Sequence, residues 1–168
     1  MPHPGVITIT TDFGHKGPFA SVMKGIILSR YPEANVVDLA HDIPPQWPPE
    51  AGFWVSRSYQ YFPAGSVHLA IVDPGVGAQR DILLIDYDQH IFIAPDNGLL
   101  GRLLDNADDA KVFKLDPNRL SDKVNSVTRE NLLVFNAEPK EILARNILCA
   151  EECNDLGVLQ RSLRIDRH

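Results

Sequence analysis

The sequence predicts an α/β fold, a mostly parallel central sheet with flanking helices. Three observations carry this. Residues 5–39 read strand, helix, strand, and two parallel strands need such a crossover between them. Residues 66–72, Ser-Val-His-Leu-Ala-Ile-Val, are a short β-branched and apolar run with the composition of a buried strand. Three turn clusters each follow a strand: Thr11-Asp12-Phe13-Gly14, Val72-Asp73-Pro74-Gly75 and Pro95-Asp96-Asn97-Gly98. In a parallel sheet such ends share one edge, and ligands bind at that edge.

The elements follow in order. Residues 5–11 alternate and are β-branched, which predicts a strand that Asp12-Phe13-Gly14 ends. Over 18–31, Phe19, Val22, Met23, Ile26, Ile27 and Tyr31 recur at helical spacing, Pro18 suits the first turn, and Pro32 stops the helix. Residues 34–39 form a second strand, closed by Ala40-His41-Asp42. Four prolines within 43–49 make a stiff connector, and a helix is predicted from about 49 to 62, with Pro63-Ala64-Gly65 as its stop. After the central strand, Pro74, Gly75 and Gly77 force a sharp turn. Residues 82–87 and 90–94 predict two strands joined tightly at Asp88-Gln89. Leu99, Leu100, Leu103 and Leu104 give a short helix, and residues 111–115 one more strand. Beyond about residue 120 the character changes: 121–131 is polar, 132–135 suits a strand, 139–153 has helical spacing, and 160–168 is charged. The chain therefore divides into an α/β domain, 1–120, and a partly helical C-terminal tail, 121–168.

Composition narrows the function. The 168 residues suffice for one domain with a sizeable core, and 44% hydrophobic with 23% charged residues is a globular mix. A net charge of −6 argues against a nucleic-acid surface, which needs a basic stripe to neutralise phosphates. No apolar run reaches bilayer-spanning length, and Met1-Pro2-His3-Pro4-Gly5 lacks the basic start and apolar stretch of a secretory signal, so a cytoplasmic location is expected. Cys149 and Cys153 complete no zinc set and read as free thiols on one helix face.

Chemistry concentrates at the turn clusters. A carboxylate at Asp73 and a guanidinium at Arg80, held close by a stiff turn, make a reaction centre; the alternative is a turn-capping Asp and an exposed Arg. Asp12, Asp73 and Asn97 converge on one pocket if their strands are parallel. A carboxylate bonds well to both hydroxyls of a ribose, which makes Asp12 a sugar anchor or else a turn cap. Three acids, Asp12, Asp73 and Asp96, also suit a divalent metal, although Arg80 would repel the cation and the spacing matches no known loop. A Rossmann phosphate loop is absent, since Gly75 and Gly77 lack the third glycine, and Ser21, Ser56 and Ser66 stand in no glycine elbow. His41 and His68 read as core or edge histidines more readily than as ligands.

With those residues placed, the sequence resembles the S-adenosyl-L-methionine (SAM) hydroxide adenosyltransferases, or SAM hydrolases, relatives of the SAM-dependent fluorinase and chlorinase. The matching motifs run in family order over residues 5 to about 116. They are Thr10-Thr11-Asp12-Phe13-Gly14, Met23-Lys24-Gly25, Val37-Asp38-Leu39 through His41-Asp42-Ile43-Pro44-Pro45, Tyr61-Phe62-Pro63 with Gly65, Val72-Asp73-Pro74-Gly75-Val76-Gly77 with Arg80, and Ala94-Pro95-Asp96-Asn97-Gly98-Leu99-Leu100.

The resemblance implies a fluorinase-like N-terminal α/β domain without the family's C-terminal β-rich domain. It implies a reaction, attack of water at ribose C5′ of SAM to give adenosine and L-methionine, with SAM as substrate and no cofactor or metal. It implies roles: Asp73 and Arg80 orient the water, Asp12 binds the ribose hydroxyls, and Asn97 lines the pocket. An acid at 73 also favours water over halide, which a carboxylate repels. Three departures bear on activity. The family's downstream catalytic His has no counterpart, since Thr128 is followed by Arg129-Glu130-Asn131 and no His occurs between His90 and His168. Gly17 stands where the family has Asp, and Phe19 where it usually has Tyr. In the family, SAM lies between the first domain of one subunit and the second domain of its neighbour in a trimer. The expectation is therefore impaired hydrolysis by a homo-oligomer whose order is left open, with a non-catalytic nucleoside-binding or assembly module as the alternative.

Overall fold

The computed structural model describes residues 5–74, 80–105 and 107–115. Six strands, β1 (Val6–Thr11), β2 (Asn35–Ala40), β3 (Val67–Ile71), β4 (Ile82–Tyr87), β5 (His90–Pro95) and β6 (Lys111–Leu115), form one sheet in the order β2-β1-β3-β5-β4-β6. β1 pairs in parallel with β2 and β3, and β3 with β5. β4 runs antiparallel to both β5 and β6. The sheet is thus mostly parallel, as expected, with one reversed strand. The β4–β5 hairpin turns through Asp88 (φ 50°) and Gln89 (φ 62°), the paired left-handed geometry that matches strand twist.

Strand alternation sorts side chains onto two faces. Leu69 and Ile71 of β3 enter one core with Ile7, Ile9, Leu84 and Ile93. Ala70 and Val72 enter the other with Ile85, Phe92 and Ala94. Helix α1 (Phe19–Arg30) covers the first core through Met23 and Ile27, a one-turn spacing. Helix α2 (Pro48–Ser58) covers the second through Ala51 and Val55. The inward stripe of α1 is narrower than its sequence suggests: Phe19 and Val22 are exposed. Pro48 and Pro49 start α2, where their missing N–H groups cost nothing. The helix predicted to about residue 62 ends at Ser58 and tightens into a 3-10 turn, Tyr59–Tyr61, which seats the Tyr59 ring edge-on to Phe92, 5.2 Å between centroids.

Gly52 sets how closely α2 approaches the segment after β5. A Cβ there would lie 1.9 Å from the Leu99 carbonyl oxygen. The short helix α3 (Gly101–Leu104) follows and buries Leu103 and Leu104. The expected division at residue 120, the strand at 132–135, the helix at 139–153 and both cysteines lie outside the described residues.

Strand order fixes which strand ends are neighbours. The chain steps from β1 outward to β2, then back across β1 to β3, so α1 and α2 lie on opposite faces. β1 and β3 are parallel neighbours, so the segments that leave their carboxyl ends start side by side at one rim of the sheet, the rim where ligands bind in such folds.

Candidate active site

Thr11 of β1 pairs with Ile71 of β3. Asp12 thus stands one residue past that rung and Asp73 two, at the same edge of adjacent strands. The Nε of Arg80 donates to Asp73 Oδ1 at 3.1 Å. Their side chains are 31% and 13% exposed, so the charge-assisted bond is partly shielded from water and from salt. Arg80 Nη1 also donates to the Asp96 carbonyl at 3.1 Å, and the Asp96 amide donates to the Asp81 carbonyl at 2.9 Å. The guanidinium is therefore fixed from two sides, by a carboxylate and by the end of β5. Burial, helped by nearby Asp81, pushes the Asp96 carboxyl above the usual range, while Arg80 and Lys114 pull it back.

Asn97 joins the two strand ends. Its Nδ2 donates to the Val72 carbonyl at 2.8 Å, and its Oδ1 accepts from the Leu99 amide at 3.1 Å. The side chain thus staples the turn after β5 to the residue immediately before Asp73.

Asp12 is set by a second group of contacts. Its Oδ2 accepts from the Gln46 amide at 2.9 Å, which ties the turn after β1 to the proline-rich segment leading into α2. Gly14 takes φ +66°, and its amide donates to the His41 carbonyl at 2.8 Å. Below Asp12 a chain of side chains runs through the α1 side of the sheet. His41 Nδ1 meets Thr11 Oγ1 at 2.9 Å, His41 Nε2 meets Asp38 Oδ1 at 2.8 Å, and Lys24 Nζ donates to Asp38 Oδ2. Burial works to raise the Asp38 pKa, but the hydrogen bonds from Lys24 and His41 outweigh it, and the carboxyl ends below its usual range. Sequence reasoning gave Lys24 and Asp38 no role. The available signal was an acid inside an otherwise apolar strand, followed three residues later by His.

His68 lies elsewhere, near the amino-terminal end of β3. Its Nδ1 meets Thr8 Oγ1 at 2.8 Å and its Nε2 meets His90 Nδ1 at 3.1 Å. Burial, and the neighbouring His90, drive its pKa down to about 3. It is a core histidine, the role sequence reasoning preferred. Asp12, Asp73, Arg80 and Asn97 all stand at the carboxyl edge. Among the described residues no three His, Cys, Asp or Glu side chains gather to hold a metal ion, so the three-acid site finds no geometric support there. No helix among them is long and apolar enough to cross a membrane.

Comparisons with known proteins agree with this architecture. In sequence, the chain is 30% identical over 171 residues to the (R)-S-adenosyl-L-methionine hydrolase of Methanocaldococcus jannaschii, covering 96% of this chain and 64% of that protein. It is 40% identical over 111 residues to the protein of the same name from Thermus thermophilus, covering 65% of this chain and 42% of the relative. In structure it resembles an uncharacterized conserved protein from Thermotoga maritima with a TM-score of 0.70 at 25% identity, over 79% of this chain and 53% of that one. A conserved hypothetical protein from Thermus thermophilus matches with a TM-score of 0.58 at 34% identity, over 80% and 55%. The chain thus spans between about two-fifths and two-thirds of the length of these relatives. The family model of the SAM hydroxide adenosyltransferase N-terminal domain matches residues 7–138, most of the chain, and it is to this family that the chain belongs.

Proposed function

We propose that this chain carries the water-orienting and ribose-binding groups for hydrolysis of SAM to adenosine and L-methionine. The supporting observation is the Asp73–Arg80 pair at the carboxyl end of β3, with Asp12 on the adjacent strand end. The names of the relatives point to the same reaction and specify the (R) sulfonium epimer.

The chemistry asks little of the protein beyond alignment. The sulfonium is a cationic leaving group, so methionine departs without needing a proton or a Lewis acid. Water oxygen bonds to C5′ as the C5′–S bond breaks. The electron pair goes to sulfur, which leaves as a neutral thioether, and the proton of the attacking water passes to the Asp73 carboxylate and on to solvent. Arg80 holds that carboxylate aimed through its Nε–H. Asp12 grips the two ribose hydroxyls and so fixes C5′ in front of the water. Asn97 keeps the Asp73 strand end in register with the turn after β5.

Incubating the purified chain with (R)- and (S)-SAM and measuring adenosine and methionine tests this. Turnover of the (R) epimer, unaffected by chelators, is the expected result, at a rate limited by the missing downstream His. Adenine or methylthioadenosine in place of adenosine would show another bond to be cut. A second reading, binding without turnover, is favoured by one sequence observation: no His occurs between His90 and His168. Calorimetry with SAM and adenosine separates the two. Phe19 and Val22, three residues apart on α1, expose neighbouring apolar surface that supports self-association into a homo-oligomer, which light scattering checks.

A further inference from the structure

Thr11, His41 and Asp38 have the spacing of a nucleophile, base and orienting acid, yet their setting rules out that use. Thr11 is 0% exposed, so no substrate atom reaches its hydroxyl. Its oxygen also accepts a hydrogen bond from the Phe13 amide at 3.2 Å. His41 touches the Asp12 turn once more through the main chain, since its carbonyl accepts from the Gly14 amide at 2.8 Å.

The direction of each hydrogen follows from donor and acceptor chemistry. The Asp38 carboxylate only accepts, so His41 Nε2 carries a hydrogen and, in the neutral ring, Nδ1 is left as an acceptor. Thr11 O–H must then donate to Nδ1, which leaves its lone pairs to receive Phe13 N–H. Lys24 holds the far carboxylate oxygen. Lys24, Asp38, His41 and Thr11 thus form an unbroken run of contacts from α1 to the Phe13 amide. Both amides that follow Asp12 are engaged, one by Thr11 and one by His41.

We infer that Lys24, Asp38, His41 and Thr11 are positioning residues that fix the Asp12-Phe13-Gly14 turn and so aim the Asp12 carboxylate. This rests on the proposed role of Asp12 toward ribose. A chain that reaches from a half-exposed lysine to a buried threonine gives the acid inside β2, the histidine just after it and the hydroxyl at the end of β1 one common purpose.

The test compares Thr11→Val, which keeps the shape but removes the hydroxyl, with Thr11→Ser, which keeps the hydroxyl. Asp38→Asn serves as a half-exposed alternative should the buried variant fold poorly. Two readouts are taken on the full chain. The first is hydrogen exchange at the Phe13, Gly14 and Gln46 amides; Gln46 reports the carboxylate of Asp12 directly. Thr11→Val is expected to speed exchange at all three by about tenfold, while Thr11→Ser stays near the parent chain. The second is preference for adenosine over 2′,3′-dideoxyadenosine by calorimetry. The parent is expected to prefer the diol by about tenfold or more, and Thr11→Val and Asp38→Asn to lose most of that preference. A Thr11→Val or Asp38→Asn chain that keeps slow exchange at Gln46, or an intact diol preference, overturns the inference. A parent chain with no diol preference overturns instead the ribose role of Asp12, and the exchange data then decide the positioning claim alone.

Discussion

Asp73 and His68 show how differently an ionisable side chain behaves at a strand's two ends. Asp73 meets Arg80 at the open edge, where its charge is useful. Asp73→Asn keeps shape and hydrogen bonding to Arg80 but removes the proton acceptor, so SAM turnover is expected to fall by about 10²–10⁴ with little change in the thermal midpoint. A rate loss under tenfold would remove Asp73 from the reaction. His68 sits in the interior, where its pKa near 3 makes it neutral when folded. Unfolded, it titrates near 6.5. The unfolded chain thus binds more protons at any pH between these values, and folding is favoured less as pH falls. The contribution is whole above about 6.5 and is lost below it, approaching about 1.4 kcal/mol per pH unit until the folded group itself titrates near 3. Urea unfolding between pH 7 and 4 checks this: His68→Gln should flatten the pH dependence. Asp73 and Arg80 were legible in sequence because an apolar run followed by Asp-Pro-Gly announces a strand end. The main-chain anchor of Asn97, 25 residues away at Val72, and the His68–His90 pair, 22 residues apart, were not, since nothing local encodes such partners.

At the scale of elements, local patterns located the six strands and three α-helices of the described residues, to within a few residues. They misplaced the end of α2, because burial of the Tyr59 ring against Phe92 is a tertiary demand that helical spacing does not reveal. They also passed over Gly52. In sequence it is a weak spot in a helix; in the structure it is the only residue type that lets α2 lie on the Leu99 carbonyl. Gly52→Ala forces the helix and the Asn97 turn apart. The expected cost is about 1–3 kcal/mol or more from overpacking, since the obstruction is main chain and cannot rotate away. Thermal denaturation measures it. A parallel loss of SAM binding would follow from the shift of Asn97, and a fully stable Gly52→Ala chain would refute this contact.

For the whole molecule, parallel pairing and the common edge were readable from the strand–helix–strand succession, but strand order was not. Sequence does not say that β5 inserts between β3 and β4, because that choice is made by which apolar faces meet. The order has a consequence for the Asp73–Arg80 pair. Since β4 alone points backwards, its first residues lie on the same rim of the sheet as the last residues of β3. The chain crosses that rim at Asp73 and regains it at Arg80. Had β4 run with its neighbours, it would have begun on the opposite rim, about 20 Å away for a six-residue strand. One inverted strand is what turns seven positions of sequence into a 3.1 Å handshake.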